Sequence, residues 1–234
     1  MVRLNKFLAE CGVCSRREAD RIISEGKVTV NSETAVMGQM VSDEDDILVN
    51  GKPISNRNDK VVFAFYKPKG VTCTEKDRFA DKKITDYIKS DVRVTYAGRL
   101  DKDSEGLILM TNDGDLINRL MKGSNNHEKE YEVHINKEVT PEFVQKMSEG
   151  VFLQELNIKT KPCKVKKTGK KSFNIVLTQG VNRQIRRMCK EQKCFVTFLK
   201  RVRVANITLA SLKIGEFRPI EGKELQLLYE ISRR

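Results

Sequence analysis

The chain has 234 residues, 39% of them hydrophobic, which suffices for one large domain, or a domain with a small appendage, around a true core. Lys and Arg outnumber Asp and Glu by 44 to 32, and the formal charge of +12 favours a polyanionic partner over an acidic small molecule. No run approaches the roughly 18 apolar residues of a membrane span, and Met1 to Lys6 lacks the apolar core of a signal peptide, so a cytoplasmic protein is expected.

Residues 1–60 hold nine basic and ten acidic side chains, so the positive excess lies further along. Arg3, Leu4, Phe7 and Leu8 open a short helix with apolar residues three and four apart. Ser15-Arg16-Arg17-Glu18 is a capping-box signature for a second helix running to about Glu25, with Ala19, Ile22 and Ile23 as its buried stripe. Gly26 fits the left-handed position after it, and Lys27 to Asn31 reads as a strand. Ile47 to Lys52 ends an alternating strand in Asn50-Gly51, a strong hairpin signal. Cys11 and Cys14 have the spacing of half a zinc or redox site, but no second Cys/His pair follows at finger spacing. With Cys73, Cys163, Cys189 and Cys194 they read as reduced structural thiols, and His127 and His134 have no nearby ligand cluster. No metal site is expected.

Ser55 to Lys60 is polar and aperiodic, a linker (55–60) between a module of residues 1–54 and a larger domain of residues 61–234. Val61 to Tyr66 is a β-type run broken by Lys67-Pro68-Lys69-Gly70. In Ala97 to Leu107 a glycine, an arginine and an acid precede a short β run, which indicates a loop setting Asp101 beside Arg99 at the edge of a sheet. An arginine and an aspartate two apart often form only a turn salt bridge, so the tetrapeptide by itself names no chemistry. Asp115 to Met121 has helical spacing, and His127 to Val133 passes from a charged loop into a strand on which Tyr131 by itself would be a half-buried packing residue. Phe173 to Thr178 is a buried strand, Gln179-Gly180-Val181 a turn, and Asn182 to Lys190 a basic helix with Ile185, Met188 and Cys189 toward the core. Phe195 to Val204 and Gly215 to Arg218 alternate apolar and basic residues as two further strands. Between Lys159 and Arg203, fifteen Lys and Arg stand against a single acid, Glu191, a density suited to nucleic-acid phosphates. Short strands separated by helices of different lengths indicate an α+β fold with a mixed, largely antiparallel sheet.

Gly98-Arg99-Leu100-Asp101 followed by Ser104-x-Gly106-Leu107-x-Leu109-x-Thr111-x-Asp113-Gly114 resembles the catalytic motif of RNA pseudouridine synthases, and within them the RsuA/RluB/RluF branch. Lys129-Glu130-Tyr131 resembles the second motif of that family, and Gly180-x-Asn182-Arg183-Gln184-Ile185-Arg186-Arg187-Met188 the third. The resemblance implies that Asp101 is the nucleophile, attacking C1′ of the ribose or C6 of the uracil. It further implies that Arg99 fills the vacated space or holds the flipped nucleotide's phosphate, that Tyr131 stacks on the target base and that Arg186 pairs with Asp101. By the same resemblance Arg183 and Arg187 would bind RNA through phosphate, or else face solvent. Arg3-Leu4-x-Lys6-Phe7-Leu8, Ser15-Arg16-Arg17-Glu18-Ala19, Gly26-x-Val28-x-Val30-Asn31 and Val49-Asn50-Gly51 resemble an S4 domain, in which Arg3, Lys6, Arg16, Arg17 and Lys27 would form an RNA-binding face.

The implied fold is a small S4 domain followed by a synthase domain whose bent sheet, flanked by helices, carries the cleft across its middle. His127 to Tyr131 and Asn182 to Cys189 stand nearest the RluF members of the branch, which implies large-subunit (23S) ribosomal RNA as substrate and leaves a transfer RNA open as a second one. No cofactor, DNA or membrane partner is expected, and a monomer is. The alternative is a non-catalytic S4-type RNA-binding or ribosome-assembly factor; DNA binding is disfavoured because no recognition-helix motif is evident.

Overall fold

The computed structural model describes residues 1–55, 59–74, 82–122 and 125–233; of the expected 55–60 linker, residues 56–58 lie outside them. Two units separate, one made of Met1–Val61 with Ser90–Val94 and Asn112–Gly114, the other of Val62–Lys89, Thr95–Thr111 and Asp115–Arg234.

The first unit runs β1 (Val2–Arg3), α1 (Leu4–Glu10), α2 (Arg16–Ser24), β2 (Val28–Val30), β3 (Glu33–Thr34), β4 (Met40–Val41), β5 (Ile47–Val49) and β6 (Lys52–Pro53). Ser15 caps α2 by accepting from the Glu18 N–H at 3.3 Å. The helix stops at a Schellman turn. Gly26 adopts φ +67°, its N–H donates to Ile23 O and the Lys27 N–H reaches back to Ile22 O, both at 3.0 Å. The next strands pair antiparallel in the order β3-β2-β5-β6. Both hairpins have two-residue turns with positive φ, Asn31-Ser32 and the expected Asn50-Gly51, whose twist matches the strands they join. Leu4, Phe7 and Leu8 of α1, Ala19, Ile22 and Ile23 of α2, and Val28, Val30 and Ile47 of the sheet close one small core. Asp45 belongs to the fold: it accepts from the Ser42 N–H and from Asn31 Nδ2, and these bonds hold its carboxyl below the usual range.

The second unit continues with β7 (Val62–Lys67), β8 (Thr95–Ala97), β9 (Glu105–Thr111), α3 (Gly114–Met121), β10 (Lys129–Ile135), α4 (Pro141–Ser148), β11 (Phe152–Leu153) and β12 (Ile158–Lys159). It ends with β13 (Lys164–Gly169), β14 (Ser172–Leu177), α5 (Gln184–Glu191), β15 (Val196–Val204), β16 (Ile207–Thr208), β17 (Phe217–Pro219) and α6 (Gly222–Ser232). Nine of the described strands make one sheet in the order β13-β14-β10-β15-β9-β7-β17, with β16 on β15 and β8 on β9. Its strand pairs are antiparallel except for β15 with β9. No described helix is long and apolar enough to cross a membrane.

Two cores lie on this sheet. Val133, Ile135, Phe173 and Ile175 of one half pack with Phe143 and Met147 of α4 and with Ile185, Met188 and Cys189 of α5. Val62, Ala64, Leu107 and Leu109 of the other half pack with Leu116 and Leu120 of α3 and Leu228 of α6. The halves meet where β9 and β15 run parallel, with Lys200 opposite Glu105 and Arg201 opposite Gly106. There the backbones come so close that a Cβ on Gly106, whose φ is +115°, would lie 2.3 Å from Arg201 O and 2.6 Å from Arg201 N. No L side chain fits that gap or that backbone conformation without moving a strand.

Gly106→Val is therefore expected to lower the unfolding free energy by roughly 3 kcal/mol or more, as a steric and a conformational penalty coincide. Gly114→Ala, at an ordinary φ with nothing within 4 Å of the added carbon, should stay within about 0.5 kcal/mol of wild type. Chemical denaturation of both variants checks the contrast; equal effects would mean that the strand junction tolerates a side chain.

Candidate active site

The Asp101 loop, residues 98–104, joins β8 to β9. It sits at the head of β9, a strand with neighbours on both sides. Gly98, at φ +76°, passes against α3, where a Cβ would meet Met121 Sδ at 2.5 Å. Ser104 N–H closes the turn on Asp101 O at 3.0 Å, and Gly70 N–H donates to Lys102 O at 2.7 Å. Lys67 is fully buried, and its ammonium donates to Pro68 O at 2.8 Å and to Ser104 O at 2.7 Å. Lys67-Pro68-Lys69-Gly70 thus has a physical task, which is to hold the Asp101 loop by its backbone carbonyls. Leu100 N–H adds a bond to Cys73 Sγ at 3.5 Å.

From the other half of the sheet, α5 brings the cations. Arg183 adopts φ +53° as the helix begins, and its Nη1 donates to Asp101 Oδ2 at 3.1 Å. Arg186 Nε lies 3.8 Å from the same oxygen. Its Nη2 donates to Ser104 Oγ at 3.2 Å and Asp103 O at 3.3 Å, so this guanidinium clamps the loop as well as facing the carboxylate. Burial and the neighbouring Arg183 lower the Arg186 pKa. Arg187 points elsewhere: its Nε donates to Asn182 O at 3.0 Å, and its Nη1 pairs with Glu155, which also takes Lys190. Arg186, expected to pair with Asp101, stands 3.8 Å from it, and Arg183, expected to face phosphate or solvent, makes the shorter contact at 3.1 Å.

Asp101, exposed Arg99, half-buried Tyr131, Arg183 and Arg186 all line one cleft of about 540 Å³. Arg187 is not among its lining residues. Tyr131 reaches the cleft through a β-bulge. The β10–β15 register slips between Glu130 and Tyr131 and sets the tyrosine opposite Arg201. In the other unit, Arg3, Arg16 and Arg17 are exposed with no ion-pair partner among the described residues. Lys6 lies 3.8 Å from Glu10, and Lys27 pairs with Glu25 at 2.6 Å.

Three groups of this site carry no local signal for their burial. Lys129 and Arg201 line the cleft yet are only 8% and 2% exposed, and Lys67 is wholly enclosed behind it. Burial brings Lys67 and Lys129 down to about 8, Arg201 adding to the effect on Lys129. Strand alternation predicts basic residues of β15 on the solvent side; Arg201 instead shares the buried side with Leu199. All six cysteines are free, and burial raises Cys73 and takes Cys163 up to about 11, as expected of structural thiols. Among the described residues no three His, Cys, Asp or Glu side chains converge as metal ligands.

Comparison with known proteins bears directly on this cleft. The family profile described as RNA pseudouridylate synthase matches residues 61–191, and that of the S4 domain matches residues 2–47. The chain is 45% identical over 232 residues to the dual-specificity RNA pseudouridine synthase RluF of Escherichia coli K12, covering 98% of this chain and 79% of that protein. It is 37% identical over 240 residues to the ribosomal large subunit pseudouridine synthase B of Bacillus subtilis strain 168, covering 99% and 97%. A crystal structure of a pseudouridylate synthase superposes with a TM-score of 0.72 at 27% identity, covering 97% of this chain and all of the other.

The two enclosed lysines give the site a pH signature. Each has a folded pKa of about 8, below the ordinary value of 10.5, so the unfolded chain binds more protons between those values. Their penalty on folding is complete below about pH 8 and fades as pH rises toward 10.5. Denaturant midpoints should accordingly rise less steeply over that window in Lys129→Met than in wild type, with the variant at least as stable at pH 7. Parallel pH profiles for the two proteins would show that Lys129 titrates like a surface lysine.

Proposed function

The chain belongs to the RNA pseudouridylate synthase family and is an isomerase of that kind; on this premise we propose that it converts a specific uridine of large-subunit (23S) ribosomal RNA into pseudouridine, with Asp101 as nucleophile. The observation that carries the reading is the Asp101 carboxylate, held by Arg183 and Arg186 in the cleft that Tyr131 also lines. The names of the relatives, one a ribosomal large subunit synthase and one a dual-specificity enzyme, support this substrate class and direct the test to a second RNA as well, for which transfer RNA is the one to try.

A uridine within a stack offers neither its C1′ nor its C6 to a carboxylate. The nucleotide must swing out at a cost of a few kcal/mol, offset by stacking and phosphate contacts. Tyr131 supplies the aromatic face. Arg99, exposed at the rim, fills the space the base leaves or holds its phosphate. Asp101 then adds at C1′ or at C6. The C1′–N1 bond breaks with its electron pair passing to the uracil, the base turns, and C5 bonds to C1′ in place of N1, while the bond that Asp101 formed to C1′ or C6 breaks and returns its electron pair to the carboxylate. C5 loses a proton and N1 gains one. Atoms and electrons balance without an oxidant, reductant or group donor, so the isomerisation needs no cofactor. The arginines keep Asp101 charged and aimed until the base arrives, a task for which an unpaired carboxylate in a cleft would be poorly suited.

In the same reading residues 1–54 form the RNA-gripping module and residues 61–234 the catalytic domain, acting in the cytoplasm where ribosomal RNA is found. Arg3, Arg16 and Arg17 offer unpaired guanidinium groups to phosphates, with Lys6 and Lys27 beside their own acids as further contacts. Arg183 at the cleft, and Arg187 outside it, extend this grip once RNA competes for their carboxylate partners.

Asp101→Asn should abolish pseudouridine formation in ribosomal or transfer RNA transcripts, mapped at nucleotide resolution, while RNA affinity stays near wild type; full activity would overturn the assignment. Arg16→Ala with Arg17→Ala should weaken RNA binding and reduce the slope of log affinity against log salt by up to about 2, with the saturated single-turnover rate unchanged. An unaltered slope would remove those two residues from the interface.

A further inference from the structure

Lys129 and Arg201 are left over by the mechanism above. Both line the cleft, and both are almost fully enclosed. Arg201 Nε donates to Leu107 O at 2.7 Å, but its buried Nη2 has no hydrogen-bond partner among the described residues. Among the described residues the Lys129 ammonium makes a single hydrogen bond, a long one of 3.4 Å to His127 O. A buried donor without an acceptor is costly, and two cations side by side more so. The strand pattern sets both beside Tyr131. Lys129 is two residues before it on β10, and Arg201 is its cross-strand partner on β15, which places the three side chains on one face of the sheet.

We propose that Lys129 and Arg201 form a cationic floor that receives the carbonyl oxygens of the flipped uracil and stabilises the negative charge the ring acquires during isomerisation. This rests on the synthase reading above. Attack at C1′ expels the base with the electron pair of the C1′–N1 bond; addition at C6 pushes an electron pair toward the C4 carbonyl. Either route leaves negative charge on uracil oxygens. A base stacked on the Tyr131 ring lies over the sheet with its edges toward neighbouring side chains of the same face. A phosphodiester, with a ribose on each side, suits the exposed Arg99 and Arg183 at the rim and is too bulky for groups enclosed to this degree. The depressed Lys129 pKa of about 8 leaves it mostly charged at neutral pH and signals how little around it offsets that charge. Donors that are unsatisfied in the free enzyme and satisfied as charge develops are the arrangement by which a site favours a transition state over its ground state.

The test uses the full chain and a transcript that the wild-type enzyme modifies, with single-turnover rates at saturating enzyme, RNA affinity and thermal stability measured side by side. Lys129→Met should slow the chemical step by roughly 100-fold, with RNA affinity unchanged and stability equal or higher, and Lys129→Arg should recover much of the rate. Sulfur in place of oxygen at uracil C2 or C4, a weaker acceptor, should slow wild type more than Lys129→Met, because the variant has already lost that contact. Arg201→Lys, which keeps the charge while altering the donor geometry, provides a second position should Lys129→Met prove poorly folded. A wild-type single-turnover rate in a folded Lys129→Met, additive effects of variant and sulfur, or a loss confined to RNA affinity would overturn the proposal, the last assigning the pair to phosphate. Failure of the wild-type chain to modify any ribosomal or transfer RNA transcript would instead overturn the synthase reading on which the floor rests.

Discussion

The second unit depends on one close approach of backbones, β9 against β15 at Gly106 and Arg201. Each half of the sheet is an antiparallel arrangement with its own helices and its own apolar core, and the short parallel pairing joins them. Because β9 begins at that point, the loop that precedes it is held at the join. Because β15 arrives there from α5, Arg183 and Arg186 at the start of that helix face the same place. Arg201 reinforces the join through its Nε bond to Leu107 O, so one residue contributes backbone, packing and charge together. The cleft follows from this crossing, since neither half contains both the carboxylate and its cations.

The balance of charge in the cleft separates stability from function. Lys67, Lys129, Arg186 and Arg201 are all substantially withdrawn from water, and Asp101 is the carboxylate that Arg183 and Arg186 share. Lys67 offsets its desolvation with two carbonyl bonds, of which the one to Ser104 O fixes the Asp101 loop. Arg186 does the same with Ser104 and Asp103. Lys129 and the Nη2 of Arg201 have no comparable compensation, which is what a fold selected only for stability would remove. The cations therefore divide by partner, some satisfied within the protein and others left for what enters the cleft.

Much of the local structure was legible because its causes are local. Ser15 before α2, Gly26 after it and Asn50-Gly51 between strands each act through hydrogen bonds or backbone conformations spanning a few residues. The core side of α5 followed from its helical period, and Ile185, Met188 and Cys189 are indeed buried. The resemblance of the Asp101, Tyr131 and Arg186 segments to family motifs brought together residues that no period or spacing connects. The burial of Arg201 had no such signal, because alternation along β15 marks a basic residue as solvent-facing and only the partner strands reverse that. The shorter contact of Arg183 to Asp101 was equally hidden, since it depends on a left-handed residue that turns the side chain back as α5 starts.

By itself the sequence determined the two ends of α2, the Asn50-Gly51 hairpin, the α+β class, the basic excess and, through its motifs, the family. Tertiary structure alone decided that Arg183 joins Arg186 at Asp101, which cations are enclosed and which are left without partners. The reason is physical: caps, turns and amphipathic periods are set by neighbours along the chain, whereas Arg201 and Leu107 stand 94 residues apart and meet only through the pairing of two strands. Gly106 links the two levels, a single residue whose missing side chain lets the strands touch, and that contact brings the two halves of the site together.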